Sequence, residues 1–297
     1  MNLQPAERLV RDVLEPVVEE LLAVDADLPP VMVVGAVARD ALHATCGHTT
    51  DLRATDDLDI ALAVGGWDTF DTIVGRLVRV PSASSEIRFS IAGVIVDLVP
   101  FGLAVETPDG VVTPERRKES ISVFGFQDVL AHAHRIRLDS GVHAYLPTVA
   151  GYTVLKLKAW ADRSTGPKNY KDAPDLACAM YWYQNPTGVD SVVGDVRDRL
   201  YETEQGQAHL IAADLDEPVA TVRLLIDDAL SLLTPGRRLE LREVWESGVI
   251  SDELLAAYLA NSSLPGWPRG GDDRLLRYSR AVRSVITGPS LGVSNRA

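Results

Sequence analysis

Apolar residues recur at helical spacing at Leu9, Val10, Val13, Val17, Leu21 and Leu22, which predicts an amphipathic helix over residues 5–24. Pro29-Pro30 closes that region. The apolar run at 31–34 stops at Gly35 and reads as a buried strand ending in a tight turn, followed by a short helix over 36–45 and a polar loop over 48–55. Residues 58–64 form the next strand, stopped by Gly65-Gly66, and 68–80 have helical periodicity. Residues 86–92 and 94–100 are two β-rich runs separated only by Gly93, the mark of a hairpin or sharp bend. Residues 102–119 read as loop, with Pro108-Asp109-Gly110 as a turn. His132 and His134 fall in an expected helix at a spacing that puts them on different faces, and a strand near 142–146 closes the sheet.

After Pro147 the pattern becomes helical throughout. Helices are expected over 149–162 and 170–183, then near 189–203, 217–232, 237–246, 251–260 and 272–285, with a frayed tail from Gly288. The expected organisation is a mixed α/β half over 1–147 and a helical half over 148–297, with no internal repeat.

A length of 297 residues at 46% hydrophobic and 24% charged allows two such domains, each with a core. No run approaches the roughly 18 uncharged apolar residues of a membrane span, and residues 1–22 carry acids and bases throughout. The expectation is therefore no signal peptide, no membrane segment and a cytoplasmic location. Two cysteines, Cys46 and Cys178, are too few for a disulfide framework. The net charge of −13 excludes non-specific DNA coating, because an acidic surface repels a phosphate backbone. Residues 135–171 reverse the sign, with seven Lys/Arg against two Asp. Such a stretch suits a small anion or a docked RNA end better than a wrapped duplex; a solvated basic face is the plain alternative.

The sharpest chemistry lies in Arg53-Ala-Thr55-Asp56-Asp57-Leu58-Asp59-Ile60. Side chains alternate along a strand, so Asp57 and Asp59 project to one face, roughly 6–7 Å apart at Cα, while Leu58, Ile60, Leu62 and Val64 take the other. Two neighbouring carboxylates that lose hydration need a cation, and a hard divalent ion with oxygen ligands supplies one. In Val94-Ile-Val-Asp97-Leu-Val a third aspartate interrupts an apolar strand, a placement that burial disfavours unless it meets the same ion. Three aspartates from two strands suit two Mg²⁺ ions, the clamp used for in-line phosphoryl or nucleotidyl displacement. Upstream, Gly35-Ala36 joins a strand to a helix whose first N–H groups favour phosphate, although many such turns are only connectors.

This combination resembles the DNA polymerase beta-type nucleotidyltransferase superfamily, whose pattern is a small-residue turn, an Asp-x-Asp strand and a later Asp. Gly35-Ala36, Asp57-Leu58-Asp59 and Asp97 stand in those places, framed by Arg53, Thr55 and Asp57 in an Arg-x-Thr-x-Asp-hydrophobic-Asp form. The block Lys156-Leu157-Lys158-Ala159-Trp160-Ala161-Asp162-Arg163, then Lys171-Asp172-Ala173-Pro174-Asp175-Leu176, is similar to that of the AbiEii/MenT-like toxin branch. The likeness spans roughly residues 30–180 and implies a minimal nucleotidyltransferase mixed sheet with flanking helices, followed by a helical domain. It implies Mg²⁺-dependent transfer of an NMP from an NTP to an acceptor hydroxyl, with a tRNA 3′ end as acceptor and a cognate antitoxin as partner. Carried over by position, Asp57, Asp59 and Asp97 bind the metals, and Asp97 also helps deprotonate the acceptor. Gly35, Ala36, Arg39 and Thr55 contact nucleotide, while Lys156, Lys171, Asp172 and Asp175 sit against the triphosphate or order the cleft wall. Ala36 replaces the family's second Gly or Ser, removing a hydroxyl but keeping the backbone N–H.

Other signals carry less. Lys156 and Arg163 share a helix face two turns apart, which makes either a cationic ridge toward the nucleotide or an ordinary solvated face. His43, Cys46 and His48 lack a fourth metal ligand. Ser82, Ser84 and Ser85 have no nucleophile context, Arg116-Arg117-Lys118 reads as a solvated turn, and no P-loop lysine motif exists. Two further functions stay open: transfer to a small hydroxylated polycation such as an aminoglycoside, which the acidic surface suits, and a non-catalytic nucleotide sensor, which Ala36 suits.

Overall fold

Leu14, Val17, Val18 and Leu21 form the buried stripe of α1 (Gln4–Val24), the amphipathic helix that its apolar spacing dictates. The structure, a computed structural model, describes residues 4–53, 57–81, 87–114, 120–164, 170–186 and 195–288. The chain then runs through β1 (Val31–Val33), α2 (Gly35–Thr45), β2 (Asp57–Ala63), α3 (Trp67–Val74), β3 (Val78–Arg79), β4 (Arg88–Ile91) and β5 (Val94–Phe101). It continues through β6 (Val111–Val112), β7 (Ile121–Ser122), α4 (Phe126–Ala131), β8 (His134–Arg137) and β9 (His143–Leu146). The protein is mixed α/β: a seven-stranded mixed sheet and a small two-stranded one, with a helical C-terminal region.

The large sheet has the order β3-β4-β5-β2-β1-β9-β8. β2 lies parallel to β5 and β1 parallel to β9, and the other neighbours are antiparallel. Leu58, Ile60 and Leu62 are buried on one face of β2, while Asp57 and Asp59 are half-buried on the other. α2 packs against β2, and α1 packs against α2 and β4. Ala92 and Gly93 both take positive φ, of 49° and 76°, the two-residue turn whose twist matches a right-handed hairpin. The α1 residue Glu20 accepts a 2.6 Å hydrogen bond from the Ala92 N–H and holds that turn.

The helical unit contains α5 (Val149–Ser164), α6 (Asp172–Gln184), α7 (Val196–Glu202), α8 (Glu204–Ala212), α9 (Glu217–Leu232), α10 (Pro235–Glu246), α11 (Asp252–Leu259) and α12 (Asp273–Thr287). Asp195, Thr203, Asp216, Thr234, Ser251 and Asp272 each cap one of α7–α12, accepting from a backbone N–H of the first turn. α9 packs against α5, α6, α8 and α12 and buries Val222, Leu224, Leu225, Ile226 and Ala229 completely. The division between compact units falls after Thr148, and the short segment Cys46–Thr50 belongs with the helical unit. Among the described residues no helix is long and apolar enough to cross a membrane.

Several elements differ from the sequence reading. The helix expected over 68–80 ends at Val74: after the Gly75 N–H bond to the Asp71 carbonyl the ladder tightens to i→i−3 bonds from Arg76 to Ile73 and from Leu77 to Val74, both at 3.3 Å, and β3 follows. The loop over 102–119 contains β6, two residues too short for periodicity to reveal. β9 does not close the sheet: β8 pairs outside it and forms the edge. His132 ends α4 and His134 stands on β8, so neither lies within a helix. The region near 203–216 holds α8, which starts directly at Thr203 after α7. Ser82, Ser84, Ser85 and Arg116-Arg117-Lys118 lie outside the described residues. Both cysteines are buried and not disulfide-bonded, and burial pushes the Cys46 thiol up to about 12, which leaves it inert.

Burial pulls the His134 imidazole below its ordinary value, and its Nε2 has no partner among the described residues. The folded chain therefore binds fewer protons than the unfolded one as pH falls below the ordinary histidine range, so this residue removes stability on acidification. Urea unfolding at pH 7.5 and 5.5 is expected to show a smaller pH-dependent loss for His134→Gln than for the parent. An unchanged pH dependence would show that this histidine is not proton-linked.

Candidate functional site

The register of β2 on β5 decides where the three carboxylates meet. Asp59 pairs directly with Asp97, and Asp57 pairs with Ile95 one step earlier on the same face. Neighbouring strands lie about 4.8 Å apart, so a side-by-side pair with a third carboxylate two residues along puts three acids on one face of the sheet. Leu58, Val96, Ile60 and Leu98 anchor the opposite face in the core, and this fixes which way the aspartates point.

The next strand supplies the counter-charge. Counting back across the Ala92-Gly93 turn pairs Arg88 with Asp97. The Arg88 guanidinium donates to Asp97 Oδ1 at 2.8 Å from Nε and to Oδ2 at 3.0 Å from Nη2, and the same Nη2 reaches Asp57 Oδ2 at 2.5 Å. The hydrogen bond to Asp97, with the charges of Asp97, Asp57 and Asp59, holds the guanidinium above its ordinary range against the burial that pulls it down. These four groups sum to two negative charges, and they remain partly open to water: the Arg88 and Asp57 side chains are 34% and 32% exposed.

Gly35 explains the upstream turn. Its φ is 66°, and a Cβ placed there would lie 1.9 Å from Asp59 Oδ2. Only glycine lets the backbone at the start of α2 approach the Asp59 carboxylate this closely. The Val34 N–H also donates to the Asp59 carbonyl at 3.1 Å, so β1, the turn and β2 are fastened around one residue. Ala36 lies half-buried in the first turn of α2.

The remaining predicted residues are placed differently. Arg39 is 2% exposed; its Nη2 donates to the Arg53 carbonyl at 2.6 Å and its Nε to Asp40 Oδ1 at 2.8 Å. It ties α2 to the segment entering β2 from a buried position. Thr55 lies outside the described residues. In the helical unit, Lys156 Nζ bridges Asp172 at 3.3 Å and Asp175 at 2.7 Å, and Arg163 Nη1 reaches Asp172 at 2.7 Å. The Asp172 side chain is fully buried, so the cationic ridge expected on α5 is met by α6 and clamps the two helices together. Lys171 is exposed just before α6. His43 lies buried on α2, and His48 meets Tyr181 in a tilted ring contact with centroids 4.9 Å apart.

Among the described residues no group of three His, Cys, Asp or Glu side chains is arranged to hold a metal ion as it stands. The Asp57, Asp59 and Asp97 set nevertheless fits a hard divalent cation: it offers only carboxylate oxygens, carries excess negative charge, and already draws a cationic group onto two of its three members. Arg88, which the sequence reading passed over, is that stand-in. The symmetric two-residue turn at 92–93 was the available signal, since it places residue 88 opposite residue 97. No family model and no curated protein matches the sequence.

Substituting Gly35 separates close approach from backbone strain. Gly93→Ala, with nothing within 4 Å of the new methyl, is expected to cost about 1 kcal/mol for its positive φ alone. Gly35→Ala adds a collision with Asp59 and is expected to cost about 1–3 kcal/mol more, read from urea midpoints. Equal costs at the two positions would mean that Asp59 does not press on the turn.

Proposed function

We propose that the mixed α/β unit carries a nucleotidyltransferase centre that moves an NMP from an NTP to an acceptor hydroxyl and releases pyrophosphate. The observation that supports this most is the in-register pairing of Asp59 with Asp97, with Asp57 on the same face. A bound pair of Mg²⁺ ions would neutralise the triphosphate and lower the barrier to displacement at the α-phosphorus. Asp57 and Asp59 are the residues to hold them, and Asp97 is the third ligand. Once Arg88 is withdrawn from it, Asp97 would also take the proton of the acceptor hydroxyl, as a carboxylate beside the attacking oxygen serves as general base. Gly35 and Ala36 would present backbone N–H groups to phosphate oxygens beside Asp59, where the start of α2 favours negative charge.

The acceptor follows from the resemblance to the AbiEii/MenT-like toxin branch, with its Lys-x-x-Ala-x-x-x-Arg and Lys-Asp-x-x-Asp-Leu blocks: an RNA, the tRNA 3′ end, in a cytoplasmic toxin–antitoxin or phage-defence setting. The net charge of −13 favours a second acceptor class, a small hydroxylated polycation of aminoglycoside type. Incubating the purified chain with each labelled NTP, Mg²⁺ and either total tRNA or an aminoglycoside panel distinguishes them. Label is expected in RNA, and Asp59→Asn is expected to lower incorporation by more than about 100-fold, since losing a metal ligand exceeds the cost of losing its supporting partner. Label in the drug alone moves the acceptor to the second class. Tight Mg-NTP binding with no transfer to any acceptor would make the domain a sensor and overturn the enzymatic reading.

A further inference from the structure

A second charged site lies wholly within the helical unit. α9, α10, α12 and the end of α8 enclose a cavity of about 110 Å³ lined by Arg223, Asp227, Arg238, Arg242 and Ser284. Three guanidinium groups thus face one carboxylate, in a chain whose overall charge is strongly negative.

The hydrogen bonds show how that carboxylate is committed. Asp227 Oδ2 accepts from Gln205 Nε2 at 2.6 Å and lies 3.2 Å from Nε2 of the fully buried His209. Although burial pushes the Asp227 carboxyl up, the bonds to His209 and Gln205 and the charges of His209 and Arg238 prevail and hold it below its ordinary range. It therefore stays ionised and balances one positive charge.

The arginines turn largely to neutral oxygens. Arg223 Nη1 donates to Ser284 Oγ at 2.5 Å, Arg238 Nη2 to the Leu230 carbonyl at 2.7 Å, and Arg242 Nε to the Ile286 carbonyl at 3.3 Å and Nη2 to the Gly288 carbonyl. Arg223 Nε is buried with no acceptor among the described residues, and burial pulls this guanidinium down despite the charge of Asp227. A buried donor on a cation with nothing to receive it is costly, and so is a lining of three guanidinium groups against one carboxylate around so small a space. An anion would relieve both. A tetrahedral dianion suits that lining, fits the volume, and offers the several oxygens that planar guanidinium forks grip best.

We propose that this cavity binds a phosphate dianion, either free orthophosphate or the terminal group of a phosphate monoester, held by Arg223, Arg238 and Arg242 with Ser284 as a further hydrogen-bonding group. The site is independent of the carboxylate face on β2 and β5, and it stands or falls whether or not nucleotidyl transfer occurs. Bound phosphate links α9 and α10 to the end of α12 and stabilises the folded helical unit by mass action.

The full chain, without Mg²⁺, is titrated with orthophosphate and with AMP by calorimetry and thermal unfolding, against sodium acetate at matched ionic strength. Saturable binding of orthophosphate with a rise in Tm is expected, and acetate is expected to have no such effect. Binding of orthophosphate alone assigns the free ion; binding of AMP as well assigns the end of a larger monoester. Arg223→Gln is expected to abolish the response. Should that variant fail to fold, Arg242→Lys keeps the charge, loses the fork, and is expected to weaken phosphate about tenfold. No saturable binding of either phosphate, or a parent response that both variants reproduce, would overturn the proposal.

Discussion

Like charges on one face of a strand are tolerated only where something opposite in sign meets them, and that requirement organises the α/β unit. Asp57, Asp59 and Asp97 are forced together because Leu58, Ile60, Val96 and Leu98 claim the other face of the β2–β5 pair for the core. A shift of one residue in either strand would bury carboxylates and expose the apolar set, so the hydrophobic pattern itself enforces the acidic patch. Arg88 then follows from the geometry of the hairpin that builds β5, and its guanidinium bridges Asp97 and Asp57.

The same patch accounts for features at a distance along the chain. Gly35 is required because Asp59 occupies the space a side chain would need, and the turn it makes starts α2 beside that carboxylate. Arg39, from the next turn of α2, holds the Arg53 carbonyl and so steadies the approach to β2. Glu20 does the corresponding work at the far side, fixing the turn that carries Arg88 toward Asp97. A site assembled from short-range fastenings to one strand pair has little freedom, which favours chemistry that needs charge held in place before substrate arrives.

Much of this was legible in residues alone. The period-two alternation of 57–63 and an aspartate inside Val-Ile-Val-Asp-Leu-Val gave both strands and the shared face, and the change of pattern after Pro147 marked the helical region. Other parts were not. β6 and β7 are two residues each, too short for any period to register, and β8 was hidden beside a short helix whose end is His132. Lys156 and Arg163 share a helix face as their spacing predicts, but only packing reveals that Asp172 and Asp175 occupy them. The arginines around Ser284 come from two helices, Arg223 from α9 and Arg238 and Arg242 one turn apart on α10, and only packing against α12 brings them together with that serine. Local pattern thus located the elements, and tertiary contact assigned the partners.

We propose that the face shared by Asp57, Asp59 and Asp97 takes a divalent cation and a triphosphate, with Arg88 holding its charge in the meantime. A crystal structure of the chain with Mn²⁺ and a non-hydrolysable NTP, using the metal's anomalous signal, tests this. Anomalous density coordinated by these three carboxylates is expected, with the Arg88 guanidinium withdrawn from Asp57 and Asp97. A saturated crystal in which Arg88 still bridges those two aspartates and manganese binds elsewhere or not at all would contradict it.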